Sequence, residues 1–140
     1  MIGFFAPAAH RYPGFDDWYH ARVLPGLADG TRIILTRQDG TGVYGGLIAK
    51  KDGDERKICS LLVRPDRRGQ GVASGLIAEA IAWLGDPLPL MTVPGSVDRD
   101  IGGLLDRFGF VRTGTAPLFS DPTGLEIIYN GRPGGPANTG

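Results

Sequence analysis

Two rhythms divide the chain: apolar residues recur every three or four positions in some stretches, while elsewhere β-branched runs alternate with turn signals. From Gly71, the residues Val72, Leu76, Ile77, Ala80, Ile81 and Leu84 share one helical face, with Gln70, Ser74 and Glu79 off it, until Gly85 to Pro87 ends the helix. Asp98 to Phe110 repeats the pattern with Ile101, Leu104, Leu105 and Phe108 inward. Gly14 to Ala28 places Phe15, Trp18, Tyr19, Val23 and Leu24 near helical spacing, with Pro25 and Gly26 as the stop. Arg32 to Arg37, Val43 to Lys50 and Lys57 to Val63 read as antiparallel strands joined by the turn signals QDGTG and KKDGDERK. Leu88 to Pro94 is a short buried strand, and FVRTGTAPLF and LEIIYN form a last strand pair. The order β-β-β-α-β-α-β-β predicts an α/β domain with a meander followed by one crossover helix between Val63 and Leu88. Residues 1–130 are expected to form that single domain, and 131–140 a disordered tail rich in Gly and Pro.

Composition narrows the function classes. A chain of 140 residues with 41% hydrophobic content supports one core. Lys plus Arg and Asp plus Glu balance at 15 each, so no net field draws it to nucleic acid or an anionic membrane. Cys59 is the only cysteine, and His10 and His20 stand apart, so neither a disulfide nor a metal site is expected. Without a basic leader or a run of about 18 apolar residues, the expectation is a cytoplasmic protein that does not enter a membrane.

The stretch RPDRRGQG, between a strand and a helix, carries the candidate chemistry. Glycine weakens a helix, so two of them at its mouth imply a need for bare backbone. The first turn of a helix leaves four N–H groups unpaired and carries roughly half a positive charge, which suits phosphate. Gly69 and Gly71 would let a pyrophosphate approach, with Arg67 and Arg68 adding charge. Each helix-end interaction contributes about 0.3–2 kcal/mol, so micromolar binding needs several, and the ligand should carry more than one phosphate. A P-loop is excluded, because no Lys follows Gly69, Gly71 or Gly75. A dinucleotide fold fits poorly: Arg64 to Arg68 separate strand from glycines, and Met91, Thr92 and Val93 stand where it needs an acid.

Arg68-Gly69-Gln70-Gly71-Val72-Ala73 resembles the acyl-CoA signature of the GNAT N-acetyltransferases: Arg or Gln, two residues, Gly, one residue, then Gly or Ala. The preceding LLVRPDRRG, with its proline after the strand, and the later LLDRFGF, similar to the family's LYxxxGF segment, extend the resemblance over Thr31 to Asn130. It implies a GNAT-like mixed, mostly antiparallel sheet flanked by helices and splayed between the family's fourth and fifth strands, with acetyl-CoA as cosubstrate. The backbone of Leu62, Val63 and Arg64 would pair with pantetheine, and Arg68, Gly69, Gln70, Gly71, Val72, Ala73 and Ser74 would hold the pyrophosphate. An N–H near Leu62 or Val63 would meet the thioester carbonyl.

The implied reaction is direct acetyl transfer to an amine-bearing small molecule or protein in a ternary complex, without a covalent enzyme intermediate. The family's thiolate-protonating tyrosine is replaced by Leu105, leaving Tyr129 and Ser96 as candidate donors. The strand KICSLLV has no acid, so Glu126 is the first candidate base, with Asp98 and Asp100 ahead of the second helix as others acting through water. Cys59 reads as a packed hydrophobe. Asp16, Asp17, Trp18 and Tyr19 suggest a rim for a cationic amine, and IGFFAP is a short stretch for the family's first strand. The resemblance also suggests a homodimer through terminal strands. Rival readings are a non-catalytic acyl-CoA-binding module, which Leu105 allows, and an interaction domain without a cofactor.

Overall fold

A computed structural model describes residues 19–118 and 121–131. The IGFFAP stretch, the acidic and aromatic rim up to Trp18 and the tail beyond Gly131 lie outside the described residues. A π-helical turn, Tyr19–Val23, leads into α1 (Leu24–Asp29). Six strands follow, β1 (Arg32–Asp39), β2 (Gly42–Asp52), β3 (Glu55–Val63), β4 (Leu90–Pro94), β5 (Arg112–Leu118) and β6 (Asp121–Tyr129), with α2 (Val72–Leu84) between β3 and β4 and α3 (Gly95–Arg107) between β4 and β5. The sheet order is β1-β2-β3-β4-β6-β5, antiparallel except where the crossover sets β3 beside β4. Among the described residues, no helix is long and apolar enough to cross a membrane.

Pro25 and Gly26 do not stop the first helix as expected from sequence. Pro25 sits in the first turn of α1, where its missing N–H has no intrahelical partner to lose. Gly26 is buried because Arg32 crosses it: an added Cβ would come within 2.6 Å of the Arg32 Cγ. The helix stops instead at Gly30, in the left-handed conformation at φ 85°.

The crossover helix α2 buries Leu76, Ile77, Ala80 and Leu84 against Leu35, Leu47, Ala49 and Ile58 of the meander. Leu105 of α3 joins the same core with Met91, Val93, Phe110 and Tyr129, so both helices cover one face of the sheet. Gly45 lets α2 settle that close: a Cβ there would lie 2.6 Å from Val72 Cγ1. Because valine has little χ1 freedom in a helix, Gly45→Ala should lower unfolding free energy by about 1–3 kcal/mol, read from the denaturant midpoint.

The opposite face is unusual in holding charge. Arg32, Lys50 and Lys57 stand in register across β1, β2 and β3, and Arg32 and Lys57 are buried. Lys50 pairs with Glu55 at 3.0 Å, and Arg32 donates to Cys59 Sγ at 3.4 Å. Burial pushes the Lys57 ammonium down and the Cys59 thiol up, so the thiol stays protonated at neutral pH.

Candidate functional site

β3 and β4 pair at only two positions, Lys57 with Leu90 and Ile58 with Met91. Beyond that point a slot of about 40 Å³ separates Cys59 to Leu62 from Thr92 to Pro94. Leu61, Leu62, Val97 and Ile101 line both the slot and a larger cavity of about 570 Å³. The cavity runs from the ends of β3 and α3 to the loop before α2, so it meets the sheet where the strands part.

The loop has the backbone expected of a cradle. Gly69 and Gly71 take φ values of 76° and 82°, in the left-handed region that glycine enters without penalty. A Cβ on either would have no heavy atom within 4 Å, so both backbones face open space. Gly71 caps α2, which turns the unpaired N–H groups of the first turn toward the cavity wall formed by Val72, Ala73 and Ser74.

Of the residues expected to hold the ligand, Leu62, Val63, Arg67, Arg68, Gly69, Gly71, Val72, Ala73 and Ser74 line the cavity. Arg64 and Gln70 do not. The Arg64 N–H donates to the Tyr44 carbonyl at 2.8 Å, and its guanidinium binds Asp66. Gln70 turns back to the Asp66 carbonyl at 3.3 Å. Because strand residues alternate in direction, the Arg64 bond sets Leu62 toward β2 and leaves the N–H groups of Leu61 and Val63 facing the gap. The Val63 carbonyl confirms this direction by accepting from Arg68 Nε at 3.4 Å. A donor for a bound carbonyl is therefore found at Leu61 or Val63, and Leu62 is occupied.

The cavity's far wall comes from α3: Val97, Asp100, Ile101, Leu104 and Arg107. Only Asp100 was named from sequence as a site residue, a base acting through water, because periodicity reports an apolar face without naming what it faces. Asp100 stands 3.9 Å from Arg68 across the mouth, with both side chains more than half exposed. Asp98 and Asp100 lie within α3 rather than ahead of it, since the helix starts at Gly95.

Tyr129 lies away from the cavity lining, buried beside Asp98 and closed over by the half-exposed Arg112. Its hydroxyl donates to Asp98 Oδ1 and accepts from Arg112 Nε at 3.0 Å, while Arg112 Nη2 bonds Asp98 Oδ2 at 2.9 Å. Gly102 leaves room for this pair, because a Cβ there would reach within 2.9 Å of the Arg112 guanidinium. Burial first, and the bond to Asp98 second, raise the phenol above its ordinary value of 10.0. Tyr129 thus ties α3 to the sheet and is poorly placed as the donor expected from sequence. Ser96 falls in the first turn of α3.

Glu126 is 4% exposed and pairs in register with Pro94 and Ala116. Alternation places it on the face opposite Tyr129, one strand from the gap.

Tyr129→Phe is expected to cost about 1–3 kcal/mol at neutral pH by removing the bridge to Asp98. A phenol with a raised folded-state pKa contributes stability that is complete below about pH 10 and is lost as pH rises through the folded value. In thermal melts the gap between wild type and variant should therefore hold from pH 7 to about 10 and narrow as pH rises further.

These features agree with the wider comparison. The model of the acetyltransferase (GNAT) family matches residues 4–93. The chain belongs to this family. A protein assigned to the GNAT family from Desulfovibrio desulfuricans superposes on this GNAT chain with a TM-score of 0.65 at 18% identity, over 84% of this chain and 80% of that one. The ribosomal-protein-S18-alanine N-acetyltransferase of Escherichia coli gives 0.60 at 19% identity, over 75% and 73%. A protein assigned as a streptothricin acetyltransferase from Bacillus anthracis, solved in complex with acetyl coenzyme A, gives 0.59 at 20%, over 71% and 61%. At these identities the likeness concerns the fold. No curated protein matches the sequence.

Proposed function

We propose that this GNAT chain transfers an acetyl group from acetyl-CoA to an amine by direct attack in a ternary complex. The observation that carries the proposal is the continuity of the glycine cradle with the slot between β3 and β4. A ligand with a bulky pyrophosphate and a narrow arm fits that shape, and the Bacillus anthracis relative holds acetyl-CoA on the same fold.

The first-turn N–H groups of α2, with Gly69 and Gly71, would hold the pyrophosphate, and Arg68 and Arg107 set positive charge on opposite walls. The edge of β3 released from β4 offers the N–H groups of Leu61 and Val63 to an extended arm, as an added strand would use them. Acetyl-CoA supplies an activated acyl group on a thiol that can leave. The chain's part is to hold that group, polarise its carbonyl and remove a proton from the amine. In this reading Glu126, on the far face and one strand from the gap, would take that proton through water.

Leu105 favours a second reading, a non-catalytic acyl-CoA-binding module. It is fully buried where the resemblance places a proton-donating tyrosine, and Tyr129 is occupied by Asp98 and Arg112. Calorimetric titration with acetyl-CoA, with 3'-dephospho-acetyl-CoA and NAD as controls, followed by an amine screen, separates the readings. Saturable binding with turnover supports the enzyme, and binding without turnover on any amine supports the module. A folded protein that ignores millimolar acetyl-CoA overturns both.

A further inference from the structure

We infer that the tip of the β1–β2 hairpin positions the cofactor loop: Asp39 and Tyr44 hold Arg67, and through it the glycine cradle, in a geometry competent to bind an anion. This rests on reading the cavity as the acetyl-CoA site.

Within the loop the Arg67 N–H donates to the Arg64 carbonyl at 2.9 Å and Asp66 holds Arg64 at 2.7 Å, but beyond Arg67 the contacts thin out. Gly69 and Gly71 have open space before them, and the bonds from the Arg68 N–H to Pro65 and from Gln70 to Asp66 are long at 3.4 and 3.3 Å. Its side-chain tethers outside the loop reach 23 and 28 residues back to the hairpin. Arg67, on the 3-10 turn Pro65–Arg67, lies with its guanidinium 4.4 Å from the Tyr44 ring centroid and is ion-paired with Asp39. Arg64 reaches Thr41 Oγ1 at 3.2 Å, while its N–H is bound to Tyr44.

Asp39 is itself fixed. It accepts from the Thr41 N–H at 2.8 Å and from the Thr41 hydroxyl at 2.5 Å. Those bonds, with Arg67 behind them, hold its carboxyl at about 2, so the carboxylate is ionised at any working pH. The pair is only partly open to water, with 27% of Arg67 and 34% of Asp39 exposed. Stacking on Tyr44 further restricts the guanidinium to one plane.

Charge and bracing predict opposite results at Asp39. As a negative group near an anion site, it should weaken phosphate binding, so its removal should tighten the complex. As a brace, it spares the ligand the cost of ordering the loop, so its removal should loosen the complex.

The test uses the full chain with Asp39→Asn and acetyl-CoA as probe. The expected result is a Kd, and with it a KM, raised about three- to fivefold, the scale of a partly exposed ion pair. The effect should fall on KM rather than kcat. Arg67→Lys keeps the charge but loses the planar stack, and should move Kd in the same direction. Amide hydrogen exchange at residues 67–71 of the unliganded Asp39→Asn chain should accelerate. A Kd unchanged or lowered in Asp39→Asn, while wild type binds, overturns this inference alone. Failure of wild type to bind overturns the acetyl-CoA reading and this inference with it.

Discussion

Replacing Gly71 by glutamate is expected to raise the Kd for acetyl-CoA at least a hundredfold in a protein that still folds. The residue sits at φ 82°, where an L side chain costs about 1–2 kcal/mol, and it caps α2. No heavy atom lies within 4 Å of the Cβ position, so the first added carbon meets no protein, and Gly71 itself lines the cavity left for the ligand. A carboxylate there would itself be favoured by the helix terminus and would repel phosphate from the same N–H groups. A hundredfold change corresponds to about 2.7 kcal/mol, within reach of lost N–H contacts and repulsion together. Gly71→Asn separates this from backbone strain, because asparagine tolerates the left-handed region and adds no charge. Asn should retain most of the affinity. Equal loss in both variants would mean that the glycine serves the backbone alone, and normal binding by Gly71→Glu would place the ligand elsewhere.

The glycine cradle was legible in the sequence because its cause is local. Gly69, Gly71 and the apolar rhythm from Val72 to Leu84 lie within one continuous stretch, and the positive φ values are what bare backbone at a helix mouth provides. The meander was legible for a similar reason, though β1 and β2 run to Asp39 and Asp52, beyond the expected Arg37 and Lys50. What failed was either ambiguous locally or distant in sequence. Pro25 reads as a stop or a start depending on whether its N–H is needed, and only the π-helical turn before it decides. The α3 wall could not be assigned, since Val97, Ile101 and Leu104 look the same against a core or a cavity. Tyr129 looked like a spare hydroxyl because its partners Asp98 and Arg112 are remote along the chain. Arg67 lines the cavity as its charge suggested, and what the sequence did not show is that Asp39 and Tyr44 also engage its guanidinium.

Glu126→Gln is expected to lower kcat for a basic primary amine by about 10²-fold or more, within the range of general base catalysis, while leaving the Kd for acetyl-CoA near that of wild type. The amide keeps the shape of a side chain that is 4% exposed, so a change in kcat without a change in melting temperature reports chemistry and not folding. Its place in register with Pro94, on the face away from α2 and α3, puts the carboxylate across the sheet from the glycine cradle. An amine arriving from that face would meet the acyl group through the gap between β3 and β4, with one strand between it and Glu126. With β4 between them, this role for Glu126 requires a water between base and amine, and a weakly basic acceptor such as methoxyamine, already neutral at assay pH, should bypass the need for the carboxylate. Its turnover should fall far less in Glu126→Gln than that of an alkylamine. An equal loss on both acceptors would assign Glu126 to the architecture of β6, and no loss on either would move the base to another residue on that face.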